Sequence, residues 1–125
     1  MKCTSLSLSK KLYKTFGWDR TERSWWIEQW GDYDSEVSRY AHKEEEDDAN
    51  SVHFPAYDTD YLLDKLPRYI NESTNELILG RWGSRWRACY MPINLGHYSE
   101  LRQEADTPAE ALGLLALKLK EEGIL

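Results

Sequence analysis

The sequence predicts an α+β fold, a small antiparallel sheet packed by helices, and three observations predict it. Residues 108–122 form a long amphipathic helix with stop and start signals at both ends. Residues 76–91 hold the segments ELIL and SRWRACYM around a GRWGS turn rich in Gly and Ser, which is the pattern of a β-hairpin. An aromatic-rich run near 23–30 supplies a further strand for the same sheet.

Taken in order, residues 5–16, SLSLSKKLYKTF, read as a short amphipathic helix. Leu8, Leu12 and Phe16 share one face, and Lys10, Lys11 and Lys14 face water. Thr4 or Ser5 caps its start and Gly17 ends it. In RSWWIEQW, residues 23–30, Trp25 and Ile27 fall on one strand face and Trp26, Glu28 and Trp30 on the other. Residues 31–53 show little sustained periodicity. The five consecutive acids Glu44 to Asp48 repel one another, so about 42–51 reads as a mobile acidic loop, with at most a brief strand or helical turn at Val37–Ala41. Asp58 or Thr59 caps a short helix carrying Leu62, Leu63 and Leu66; Pro67 ends it or begins a further turn containing Tyr69 and Ile70. In the second arm of the hairpin, Trp86, Ala88 and Tyr90 alternate with Arg85, Arg87 and Cys89, so the first set is expected to face the core and the second the solvent. Residues 92–102 read as a connection.

The closing helix carries the most information. Thr107 is its N-cap, Pro108 its first residue, Glu110 the third residue of a capping box, and Gly123 its stop. Leu112, Leu115 and Leu119, flanked by Ala111 and Ala116, make the core stripe. Leu114 and Leu117 point elsewhere; a second intramolecular layer would cover them, and a homodimer seam is the alternative.

The length fits a single domain, 1–125, in which roughly two-thirds of the unfolded surface can be buried. Six Trp and eight Tyr against two Phe bring ring area together with N–H and O–H groups that need partners. Cys3 and Cys89 have no metal-site spacing and are expected to be reduced. No apolar run marks a signal peptide or a membrane span, so a cytoplasmic protein is expected. Net charge is −6 and uneven: residues 31–60 hold ten acids and two bases between two mildly basic flanks. That balance disfavours general affinity for a polyanion.

The chain resembles small proteins of bacteriophages and prophages. The resemblance rests on Leu12, Tyr13, Gly17 and Trp18, on FPAYDTDYLLDKLP at 54–67, on the Trp/Tyr-bearing hairpin and on DTPAEALGLLALKL at 106–119. It is most similar to phage ABA sandwich domains, a layered α/β arrangement. The resemblance implies a phage context and a bacterial host cytoplasm, and no particular activity or site; the acidic stretch stands outside its pattern. Small phage accessory proteins often bind and disable a host protein, which is the role the resemblance favours.

Catalytic and metal signals are weak. Asp32-Tyr33-Asp34-Ser35-Glu36 starts like a calcium loop, but Val37 stands where glycine is needed and Lys43 where a bidentate glutamate is needed. His42, His53 and His97 are scattered, and Cys89 has no nucleophile signature. No metal, no cofactor and no enzymatic activity are expected. The constellation with chemical content is Arg81, Trp82, Arg85, Trp86 and Arg87, which interleaves guanidinium groups and rings. With Trp26 and Trp30 it suits a protein hot spot, an anion or a base. Asp32, Asp34, Glu36, Glu44, Glu45, Glu46, Asp47 and Asp48 would present negative charge to a basic partner. The leading expectation is a non-enzymatic accessory protein that binds a host protein, as an inhibitor of a host defence system such as a nuclease with a basic groove (anti-CRISPR-like). The alternatives are a module for a nucleotide-like anion and, less favoured, a nucleic-acid binder.

Overall fold

A computed structural model describes residues 3–21, 23–30, 33–42, 51–71, 74–92 and 101–125; for Arg23, 26–30, 33–42 and 51–53 the description is of the backbone. The chain is α+β, with antiparallel strands in two sheets rather than the one expected. It divides into two compact units, Thr4–Tyr57, and Met1–Cys3 with Asp58–Leu125.

In the unit Thr4–Tyr57, helix α1 (Leu6–Phe16) is capped by the Ser5 hydroxyl, which accepts from the Leu8 amide, and ends at Gly17, whose N–H reaches the Tyr13 carbonyl. Strands β1 (Arg23–Trp30), β2 (Tyr33–His42) and β3 (Ser51–Ala56) pair in the order β2-β1-β3. The ten-residue β2, and β3 from Ser51, correct the reading of 31–53 as a long loop with at most a brief strand or helical turn at Val37–Ala41. The residues of β2 lack alternation, and it is held as an edge strand by pairing with β1, Trp25 opposite Tyr40 and Ile27 opposite Ser38. β3 tolerates Pro55 because it is the other edge, where one face of the backbone needs no ladder partner. The acids Glu44 to Asp48 lie outside the described residues.

Thr4, Ser9, Thr21 and Ser24 are the buried polar side chains described in this unit, and the first two form a knot. Thr4 and Ser9 are fully buried, and their hydroxyls meet at 2.7 Å. The Tyr57 amide donates to Thr4 Oγ1 at 3.2 Å, the Trp25 indole N–H donates to the Thr4 carbonyl at 2.9 Å, and Ser9 Oγ donates to the same carbonyl at 3.3 Å. Around this knot lie buried Leu8, Leu12, Trp25 and Tyr57. The Tyr57 hydroxyl donates to the Trp18 carbonyl, and Trp18 stacks on Phe16 with centroids 4.0 Å apart.

In the unit holding Asp58–Leu125, helix α2 (Thr59–Lys65) starts on Asp58, whose carboxylate accepts from the Tyr61 amide. Strands β4 (Tyr69–Ile70), β5 (Asn75–Trp82), β6 (Arg85–Pro92) and β7 (Arg102–Ala105) pair antiparallel in that order, and helix α3 (Pro108–Glu121) closes the unit. β5 and β6 are the expected hairpin, except that Gly80, Arg81 and Trp82, which the sequence places in a GRWGS turn, belong to β5 and pair with Arg87, Trp86 and Arg85. Its loop is the two residues Gly83 and Ser84; Gly83 has φ +66°, while Ser84 is not among the positive-φ residues. That combination is a type II′ turn, whose first central position excludes side chains. β7 begins at Arg102, the last residue of the expected connection, and runs through 103–105, for which the sequence indicates no element.

α3 follows the sequence closely. The Thr107 hydroxyl accepts from the Glu110 amide. At the other end Gly123 N–H bonds the Lys120 carbonyl and Ile124 N–H the Leu119 carbonyl, which are the two bonds of a Schellman stop. The stripe Leu112, Leu115 and Leu119 is fully buried with Ala111 and Ala116, whereas Leu114 and Leu117 are half-buried. α3 packs on β5, β6 and β7 and against α2.

Tyr90 sits in this core, fully buried, with its hydroxyl donating to the Pro67 carbonyl at 2.6 Å. Burial pushes its pKa up to about 12. An unfolded tyrosine ionises near pH 10. The group's contribution is therefore intact below about pH 10 and is lost as pH rises toward 12, because only the folded state must keep it neutral. Urea melts on either side of this window should lose on the order of 2 kcal/mol through this group. Tyr90→Phe should remove most of that difference; an equal alkaline loss in the variant would assign it to other groups.

Candidate binding face on the four-stranded sheet

Period-two alternation divides β5, β6 and β7 into two faces. The register places Leu77, Leu79 and Arg81 with Trp86, Ala88, Tyr90, Gln103 and Ala105 on one face. Ala88, Tyr90 and Ala105 on it are buried, and this is the side that carries α3. The other face presents Ile78, Gly80 and Trp82 with Arg85, Arg87, Cys89, Arg102 and Glu104.

On that second face a short stack is assembled from three strands. Arg87 and Glu104 are directly paired across β6 and β7, and Arg87 Nε donates to Glu104 Oε1 at 2.9 Å, with Nη2 donating to the same oxygen. The Arg87 guanidinium carbon lies 4.3 Å from the centroid of the Trp82 ring, one diagonal step away across β5 and β6. The Arg87 side chain is only 13% exposed, whereas Trp82 is 58% exposed. Trp82 is thus a large apolar ring held in water over a cation that is itself fixed by a carboxylate. Cation–π contact and a charge-assisted hydrogen bond restrict its rotamers before any partner arrives.

The Arg87 hydrogen bond, followed by the nearby positive charges of Arg87, Arg85 and Arg102, holds the Glu104 carboxyl below the usual carboxylate range. The pair is therefore intact at neutral pH and comes apart only in acid, as the pH falls through that lowered value. Arg85 Nη2 donates to the Glu104 carbonyl at 3.4 Å, and its Nε lies 3.6 Å from Asp106, a pair open to solvent.

The interleaved constellation is therefore split by the strand. Trp82, Arg85 and Arg87 share the outward face, while Arg81 and Trp86 belong to the helix-covered face, where the Arg81 guanidinium lies 5.9 Å from the Trp86 ring. Cys89 corrects the alternation argument in the other direction: it was expected to face solvent and is 3% exposed. Burial pushes its thiol up despite Arg87 and Arg102, so it is a poor nucleophile. Trp26 and Trp30 belong to β1, and Asp34 and Glu36 to β2, by their backbones; their side chains, with Asp32 and Glu44 to Asp48, lie outside the described residues. Glu104 was missed because RQEA, residues 102–105, has none of the β-branched or aromatic residues that mark a strand. The available signal was Arg87, a guanidinium beside an apolar run in want of a counter-charge.

Among the described residues no three His, Cys, Asp or Glu side chains gather as a metal ion would require. No helix among them is long and apolar enough to cross a membrane. No protein-family model matches the chain, and searches of curated proteins and of solved structures found no match.

Proposed function

We propose that this chain is a non-enzymatic accessory protein of phage or prophage origin that acts in a bacterial cytoplasm by binding a host protein and disabling it. The proposed target class is a defence nuclease with a basic groove. The observation that carries the binding role is the Trp82 ring, 58% exposed and stacked on an arginine that Glu104 fixes. Trp and Arg are the residues that dominate protein interfaces, and a preordered ring loses little entropy on docking. The run of five acids from Glu44 to Asp48 supports a basic target, since it would steer association with one.

The anion-binding alternative is less well supported by this face. Arg87 already has Glu104, and Arg85 lies beside Asp106, so a phosphate would have to displace carboxylates to reach either fork.

Affinity capture from bacterial lysate with the tagged chain tests the reading. One stoichiometric partner is expected, with affinity that falls as salt rises. Trp82→Ala should weaken that complex by at least about tenfold, as a hot-spot ring does. Recovery of no stoichiometric protein, or capture of a nuclease whose activity is unchanged in the complex, would overturn the proposal.

A further inference from the structure

The outer edge of β5 is open over a short, bounded stretch. β4 covers only its start: Tyr69 pairs with Glu76, Ile70 with Asn75, and Leu77 N–H bonds the Arg68 carbonyl. The hairpin turn begins at Gly83. Between them Ile78 to Trp82 has β6 on one side and, among the described residues, no strand on the other. In an antiparallel ladder the backbone groups of alternate residues point to opposite sides. Because Leu77 bonds outward to Arg68, the N–H and C=O of Leu79 and Arg81 point outward too. This edge has no proline and no bulge, its register runs unbroken from Asn75 to Trp82, and Arg81 is the one charged side chain between Ile78 and Trp82.

The side chains along this stretch are self-complementary. Ile78 is 42% exposed and Trp82 is 58% exposed, both on the outward face, with Gly80 midway between them. We propose that β5 pairs with β5 of a second copy of this chain, antiparallel about a two-fold axis at Gly80, joining two four-stranded sheets into one of eight. In that register Leu79 of each copy faces Arg81 of the other, and their outward groups exchange four hydrogen bonds. Ile78 of each copy then stands opposite Trp82 of the other at a non-hydrogen-bonded position, where facing side chains approach most closely. Gly80 faces Gly80 on the axis, and nothing lies within 4 Å of the space a Cβ would take there. The Arg81 guanidinium lies by Trp86 of its own copy, so its aliphatic stem is the part that meets Leu79. An isologous contact of this kind closes at two copies and does not propagate.

The seam is separate from the host-binding reading. Arg85, Arg87 and Glu104 lie on β6 and β7, across β5 from the new edge, and only Trp82 serves both. The test uses the purified full chain with no host protein present, so its outcome does not depend on that reading. Sedimentation equilibrium should give twice the 14.7 kDa chain mass at high concentration and a concentration-dependent return to monomer. Leu79 and Arg81 amides should exchange hydrogen more slowly as concentration rises. Arg81→Pro removes one outward N–H and no β5–β6 bond, and Ile78→Lys places a charge opposite Trp82. Each should weaken dimerisation by at least about tenfold while leaving the far-ultraviolet spectrum unchanged. A chain that stays monomeric at all concentrations overturns the proposal. So does a dimer that survives Ile78→Lys, which would place the seam elsewhere, for example at Leu114 and Leu117. A β5 edge that accepts only a strand from another protein also overturns it.

Discussion

Leu115→Ala should be among the most damaging single changes in this chain, with an expected loss of about 2–5 kcal/mol in unfolding free energy. Leu115 is fully buried on α3, midway between the equally buried Leu112 and Leu119. Its helix is packed against both β6–β7 and α2, so a shift of the helix to fill the cavity would disturb contacts on two sides. A cavity that cannot collapse costs the lost transfer energy and the lost packing together. Leu117→Ala on the same helix is the control. Leu117 is half-buried, and its loss should cost about 1 kcal/mol or less. Urea melts of the two variants give the comparison directly. Equal losses would mean that the stripe at 112, 115 and 119 is not the helix's main contact.

Such a ranking was available from the sequence because everything that defines α3 is local. The cap at Thr107, the proline after it, the leucine spacing and Gly123 all act within a few residues of where they stand. The two arms of the hairpin are legible for the same reason, but GRWGS at 80–84 reads as a turn, whereas β5 runs on to Trp82 and only Gly83 and Ser84 turn the chain. β2 and β7 are not legible, because neither carries a strand pattern of its own. β2 takes its conformation from the ladder of β1, and β7 from that of β6, and a ladder partner many residues away leaves no mark on the local sequence. The candidate site shows the same division. Arg81, Trp82, Arg85, Trp86 and Arg87 are visible as a cluster of residue types, and alternation separates Arg85 and Arg87 from Trp86, whereas the split of Trp82 from Arg81 enters only because β5 runs to Trp82. Glu104, which fixes Arg87 and through it Trp82, enters only when β7 is placed beside β6. The burial of Cys89 was hidden too, because strand alternation gives the face on which a residue lies and not what its neighbours cover.

Thr4 is the case where a local rule gave the smaller half of the answer. Thr4 and Ser5 compete as caps of α1, and Ser5 takes the role. Thr4 turns instead to the interior, where one arrangement of protons satisfies every group in the knot. The Tyr57 amide donates to Thr4 Oγ1, Thr4 Oγ1 donates to Ser9 Oγ, and Ser9 Oγ and the Trp25 indole both donate to the Thr4 carbonyl. Thr4→Val keeps the shape and removes the hydroxyl. The Tyr57 amide then loses the Thr4 acceptor and Ser9 loses a partner, both in a fully buried setting. Withdrawing partners from buried polar groups costs about 1–3 kcal/mol for each group, so a loss of roughly 3 kcal/mol is expected. Thr4→Ser keeps the hydroxyl and gives up one methyl group, for about 1 kcal/mol. The decisive quantity is the difference between the two variants in parallel urea melts. If valine is tolerated as well as serine, the knot does not hold the chain ends of this unit together, and the apolar contacts of Leu8, Leu12 and Trp25 do so without it.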